Sequence, residues 1–176
     1  MIFKETPLAG AYIIDIEQIA DDRGFFARAW CTREFKEKGL NASFVQCNIS
    51  FNKLKGTLRG MHYQTPMAEA KLVRVTKGAI FKVIVDLRPN SITFKRSYSV
   101  ELSAKNHKMI YIPEDFANGY MTLEPNTELF YQMSEFYYPE YSKGFRWNDP
   151  SFNIKWPCAP AIISERDNRY PDYQEI

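Results

Sequence analysis

The chain has 176 residues, 45% hydrophobic and 25% charged, a length and balance that suit one globular domain, spanning 1–176, with a sizeable core. A formal charge of +2 is too small to argue for nucleic acid, but it leaves room for a local basic pocket that takes an anionic small molecule. Three scattered cysteines, Cys31, Cys47 and Cys158, argue against a disulfide framework, and with neither a signal peptide in residues 1–10 nor a run of roughly 20 apolar residues, a cytoplasmic protein without membrane contact is expected.

Along the chain, residues 11–16 (AYIIDI) are rich in β-branched side chains and read as a short strand. Residues 20–24 (ADDRG) read as a turn ahead of Phe25 and Phe26. The clearest helix signal is at 32–39 (TREFKEKG), where Thr32 can cap, Phe35 supplies the apolar face and Gly39 ends the helix. Residues 43–50 (SFVQCNIS) alternate like a half-buried strand, and 51–55 read as loop. A central strand is expected at 57–64 (TLRGMHYQ), where Gly60 suggests a bulge or a close backbone approach. The strongest pattern is 71–86 (KLVRVTKGAIFKVIVD), predicted to be two strands meeting in a tight hairpin at Lys77-Gly78. Further strands are expected at 98–102, 109–112, 117–123 and 128–133. From about residue 137, Pro139, Gly144, Pro150, Pro157, Pro160 and Pro171 mark a loop-rich segment expected to wrap the body. Many short strands at near-regular spacing, without long helices between them, imply an all-β sandwich or barrel, with a jelly roll the natural candidate.

Chemistry enters with His62, one of only two histidines. An unperturbed pKa of about 6.5 suits it to proton abstraction at neutral pH; a hydrogen-bonded histidine in a β core is the alternative. A two-residue hairpin turn would pair Val73 with Lys82 and Lys71 with Ile84, so both lysines would share a face. That face either points to solvent or forms a cationic floor able to stabilise a developing anion. Tyr131 shares a face with Leu129 and Met133, as a core tyrosine or as a proton donor. His62 lacks an H-x-H partner and His107 sits in a polar turn, so a metal-free site is the better reading.

The sequence resembles the dTDP-4-dehydrorhamnose 3,5-epimerase family of cupin-like sugar-nucleotide epimerases. The matching pieces include Asp22-Arg23-Gly24-Phe25-Phe26, Phe44-Val45-Gln46-Cys47-Asn48, Leu58-Arg59-Gly60-Met61-His62-Tyr63-Gln64, Lys71-Leu72-Val73-Arg74 and Val85-Asp86-Leu87-Arg88. They continue through Ile112-Pro113-Glu114, Phe116-Ala117-Asn118-Gly119, Phe130-Tyr131, Tyr137-Tyr138-Pro139 and Trp147-Asn148-Asp149-Pro150. The resemblance implies a cupin-type jelly roll with short peripheral helices, a homodimer and no cofactor. It also implies inversion of carbon 3, carbon 5 or both in a nucleotide-diphosphate-linked 4-keto-6-deoxyhexose. On it, His62 is the base, Asp167 orients that base, Lys71 stabilises an enolate and Tyr131 returns the proton on the opposite face. Arg23, Phe26, Gln46, Asn48 and Arg59 fall where the family binds nucleotide diphosphate, base and sugar, and Arg166 beside Asp167 joins them. Arg59 and His62 are three apart, which on a regular strand means opposite faces, so either Gly60 marks a bulge or Arg59 serves another part of the dimer.

Four of the positions assigned to substrate depart from the family pattern. Asn118 replaces a histidine, Lys82 an aspartate, and Arg28 and Lys143 stand where acids are expected, so a different nucleotide or sugar is one implication. A single-centre epimerase on a GDP- or otherwise linked sugar, a non-catalytic sugar-nucleotide-binding protein and a metal-dependent cupin oxygenase are the alternatives.

Overall fold

The computed structural model describes residues 1–175. In chain order the strands begin with β1 (Ile2–Glu5), β2 (Tyr12–Asp15), β3 (Ile19–Asp21) and β4 (Gly24–Phe26), followed by the helix α1 (Thr32–Glu37). Then come β5 (Gln46–Asn52), β6 (Thr57–Gln64), β7 (Lys71–Lys77), β8 (Ala79–Asp86) and β9 (Ser97–Ser103). The remainder are β10 (Met109–Ile112), β11 (Phe116–Thr122), β12 (Thr127–Met133), β13 (Ser142–Gly144), β14 (Ile162–Ile163) and the short helix α2 (Glu165–Asn168).

Two sheets form the body. One has the order β1-β2-β10-β7-β12-β5, and the other β13-β6-β11-β8-β9 with β14 added beside β6. The neighbours are non-consecutive because the chain passes repeatedly from one sheet to the other, as in a jelly roll of the cupin type. Alternation explains the layers: inward residues such as Val73, Val75, Ile80, Ile84, Ile110, Ile112 and Leu129 meet in one buried cluster between the sheets. A second cluster, centred on Phe35 and Tyr111, seals the outer face of the first sheet under α1. A third, around Met61, Val83, Phe145 and Phe152, packs the C-terminal segment against the second sheet.

The expected hairpin at Lys77-Gly78 does not form. β7 pairs with β10 and β12, whereas β8 pairs with β9 and β11. Gly78, at φ +75°, turns the chain from one sheet to the other, at a corner so tight that a Cβ there would meet Thr127 Oγ1 at 2.4 Å. Both strands carry long apolar runs, and each gains more by taking two neighbours inside its own sheet than by pairing with the other at an edge.

Smaller differences are local. The helix stops at Glu37, and Cys31 rather than Thr32 stands at its N-cap without a side-chain bond, while Phe35 is fully buried as its face requires. β5 starts at Gln46 and runs on through Asn52, because every residue from Gln46 to Asn52 finds a partner on β12. The turn at 20–24 is the tip of a small two-stranded hairpin, β3 with β4. Among the described residues, no helix is long and apolar enough to cross a membrane.

Candidate active site

A cavity of about 350 Å³ opens between the two sheets, within the range of small-molecule sites. Its lining comes from both walls. β6 and β11 contribute Arg59, His62 and Asn118, and β8 contributes Lys82. From the opposite sheet come Gln46 and Asn48 on β5, Lys71 and Val73 on β7, and Leu129, Tyr131 and Met133 on β12.

The geometry at His62 rests on a bulge. Asn118 lies opposite His62 and Tyr120 opposite Arg59, so β6 carries one more residue than β11 over this span. Gly60 makes the bulge possible: its φ is +121°, and a Cβ there would lie 2.6 Å from the Gly119 Cα. The extra residue turns Arg59 and His62 to the same side, and both line the cavity. The choice left open by their spacing is thereby resolved in favour of the bulge. His62 is no core histidine, since its side chain is 38% exposed.

Asp167 arrives from the far end of the chain. β14 pairs with β6, and α2 follows with Ser164 accepting the Asp167 N–H at its N-cap. Asp167 is buried, lies 2.8 Å from His62 Nε2 through Oδ1, and accepts the Gly60 N–H through Oδ2 at 3.0 Å. Burial pushes its carboxyl up, but the His62, Gly60 and Ser164 hydrogen bonds outweigh that and hold it below the usual carboxylate range. An ionised carboxylate only accepts, so the imidazole carries its proton on Nε2 and leaves Nδ1 as the basic nitrogen. The edge of Tyr170, with ring centroids 6.0 Å apart, fixes the ring from the side.

On the facing wall, burial raises the Tyr131 hydroxyl above its ordinary value, so it keeps its proton at neutral pH. Lys71 contacts the Glu69 carboxylate. Burial drives the Lys71 ammonium down to about 7, and that carboxylate pulls in the opposite direction, toward the charged form. Lys82, on the first wall, is 2% exposed and donates to Asn118 Oδ1 at 2.6 Å. Burial and the nearby Lys71 charge push it down to about 7. The expectation that the two lysines share a pocket holds, but they face each other from opposite sheets and not along one strand pair. The solvent-facing alternative is excluded by their burial.

Of the other expected residues, Arg166 sits at the rim, bonded to the Tyr170 hydroxyl at 2.8 Å and Ser142 at 3.0 Å. Arg23, Phe26, Arg28 and Lys143 do not line the cavity of this chain. Arg23 is ion-paired with Asp21 and its side chain is 89% exposed, and Phe26 is 74% exposed on the β3–β4 hairpin. Arg28 pairs with Glu34, and Lys143 is exposed on β13. Sequence reasoning missed Glu69, read as loop, and Tyr120, Tyr137 and Tyr170. Glu69, two residues from Lys71, was the one with a readable signal.

A jelly roll with a His–carboxylate pair on one wall of its cavity and a phenol and an ammonium on the other defines an acid–base enzyme of the cupin-type sugar-epimerase class. Residues 5–175 match the family described as dTDP-4-dehydrorhamnose 3,5-epimerase. A dTDP-4-dehydrorhamnose 3,5-epimerase from Methanothermobacter thermautotrophicus is 42% identical over 176 residues, covering 98% of this chain and 95% of that one. The crystal structure of the enzyme of that name from Elizabethkingia anophelis superposes with a TM-score of 0.95 at 39% identity, over 98% of this chain and 96% of the other. A Legionella pneumophila dTDP-6-deoxy-D-glucose-3,5-epimerase, solved in complex with dTDP-4-keto-L-rhamnose, superposes with a TM-score of 0.90 at 32% identity and 98% coverage of both chains. The chain belongs to the dTDP-4-dehydrorhamnose 3,5-epimerase family, and it is an isomerase.

Proposed function

We propose that the protein inverts carbons 3 and 5 of dTDP-4-keto-6-deoxyglucose by removing and returning protons next to the 4-keto group. The observation that carries this reading is the placement of a base and an acid on opposite walls of one cavity, His62 on β6 and Tyr131 on β12. Inversion needs a proton to leave from one face of the carbon and return to the other.

His62 Nδ1 takes the α-proton. The C–H electron pair moves into the new C=C bond, and the carbonyl π pair moves to the oxygen at carbon 4. Asp167 stabilises the imidazolium and keeps the ring oriented, as carboxylates do beside catalytic histidines. The Lys71 ammonium donates to the enolate oxygen. Tyr131 then gives its proton to the opposite face of the carbon, and proton exchange with solvent resets both groups. The sequence is redox-neutral and its protons balance without a cofactor. Arg59 and Arg166 suit the diphosphate, because guanidinium groups make paired, charge-assisted hydrogen bonds to phosphate, and the Gln46 and Asn48 amides suit the base or sugar.

The same reading covers assembly and location. The exposed Arg23 and Phe26 on the β3–β4 hairpin, together with exposed Val45 just before the edge strand β5 and Ile49 and Phe51 along it, support a homodimer in which each hairpin reaches the other copy's cavity. Arg28 and Lys143 then serve the nucleotide from outside this chain's own pocket. Exposed free Cys47 and Cys158 fit the reducing cytoplasm.

The test is proton exchange in heavy water with dTDP-4-keto-6-deoxyglucose, followed by NMR. Deuterium at carbons 3 and 5 is the expected result. Deuterium at one carbon would replace the reading with a single-centre epimerase, and binding without exchange would leave a non-catalytic sugar-nucleotide-binding protein.

A further inference from the structure

Lys82 is a buried cation in the cavity that the proposed mechanism does not use. It stands on β8, in the middle of its sheet, beside Asn118 and Tyr120 of β11. Among the described residues its hydrogen-bond partner is Asn118 Oδ1 at 2.6 Å. The Asn118 amide cannot turn round, because its Nδ2 donates to the His62 carbonyl oxygen at 3.2 Å. An ammonium has three donors, and only one is used here. The face of the Tyr120 ring lies 5.8 Å from Nζ. The charge that acts on it is the like charge of Lys71, whose own carboxylate partner is Glu69.

A buried ammonium without a carboxylate is costly. Among the described residues, the Asn118 oxygen and the Tyr120 ring offset that cost only in part, and an anion formed inside the cavity would offset more of it. The enolate oxygen is such an anion, and it exists only during reaction.

We propose that Lys82 is a second oxyanion donor, which together with Lys71 grips the oxygen at carbon 4 from the opposite wall, and that Asn118 positions it. This rests on the 4-ketosugar epimerase reading. When the C–H bond breaks and charge moves to the oxygen, N–H groups of both lysines donate to it. No proton is transferred in that step, and the hydrogen bonds weaken again when the tyrosine proton reaches carbon. The contact gains strength as charge develops, so it accelerates the reaction more than it tightens substrate binding. A cationic floor of this kind also favours a free hydroxyl at the neighbouring carbon 3 and disfavours an amino group there.

The test uses the full-length protein and its Lys82→Met and Asn118→Asp variants. Turnover is measured on dTDP-4-keto-6-deoxyglucose, and binding on the saturated 4-hydroxy analogue, which cannot form an enolate. Lys82→Met should lower kcat by about 10²–10³-fold while the analogue binds within about twofold of the parent. Asn118→Asp places a carboxylate on Lys82 that competes with the enolate, and should lower kcat as well; it decides the matter if Lys82→Met fails to fold by thermal unfolding. Unchanged turnover in the folded variants overturns the proposal and leaves the epimerase reading standing. Equal losses in kcat/KM and in analogue affinity also overturn it, because Lys82 would then serve a ground-state anion such as the diphosphate. Failure of the parent protein to exchange either proton overturns both.

Discussion

Replacing Lys82 by methionine should stabilise the substrate-free protein in acid and do so progressively less as the pH rises. The side chain is fully buried in the cavity floor, faced by Asn118, the Tyr120 ring and the Lys71–Glu69 pair. Its value falls from 10.5 to about 7 through burial and Lys71, which at about 1.4 kcal/mol per tenfold corresponds to about 5 kcal/mol. At pH 6 the group is protonated in both folded and unfolded chains, so the folded protein bears that whole cost. Between pH 7 and 10.5 the folded protein releases the proton while the unfolded chain keeps it. The unfolded state then binds more protons, and stability rises with pH across this window. Near pH 10 only about 1 kcal/mol of the cost remains. Methionine has no such term, but it leaves Asn118 Oδ1 without its donor, at about 1 kcal/mol at every pH. The expected gain is therefore about 4 kcal/mol at pH 6 and close to nothing at pH 10. Urea unfolding of parent and variant at pH 6, 8 and 10, with matched m-values, reads it directly. A difference that does not change with pH would refute the buried-charge reasoning.

Other predictions follow from the remaining contacts. His62→Ala should reduce deuterium incorporation at both carbons by about 10²–10⁴-fold, the usual contribution of a general base; full exchange would remove His62 from the mechanism. Tyr131→Phe should keep exchange through His62 but slow inversion by about 10²-fold, seen as deuterated substrate accumulating ahead of product. Gly60→Ala should cost about 3 kcal/mol or more, because the new Cβ meets the Gly119 backbone and the positive φ resists any side chain, and urea unfolding measures it. Asp86→Ala should cost about 3–5 kcal/mol, since Asp86 is fully buried under bonds from Arg88, Ser91 and Thr93. Against the upward push of burial those bonds hold its carboxyl low, so the stabilisation is present above the ordinary carboxyl value and is lost as pH falls through the depressed one.

Much of the architecture is written locally. The bounds read for β6 and β10 match to the residue, the second because Pro113 stops its strand. The apolar pattern at 71–86 announced two strands, and the motif around His62 pointed to the family. The glycine in that motif also signalled the bulge. Pairing was not local. Gly78 reads as a hairpin turn because a positive φ suits both a hairpin and a corner between sheets, and only the competition among strands for partners separates the two. Tertiary structure carried Asp167, which the resemblance had already paired with His62, to that ring from 105 positions away in the numbering, by way of β14 and α2. It also decided that Lys71 and Lys82 face each other across a cavity from different sheets. Their depressed values, and the charge left unmatched on Lys82, arise from burial by strands distant in sequence, and burial of that kind depends on the folded whole and not on any neighbour along the chain.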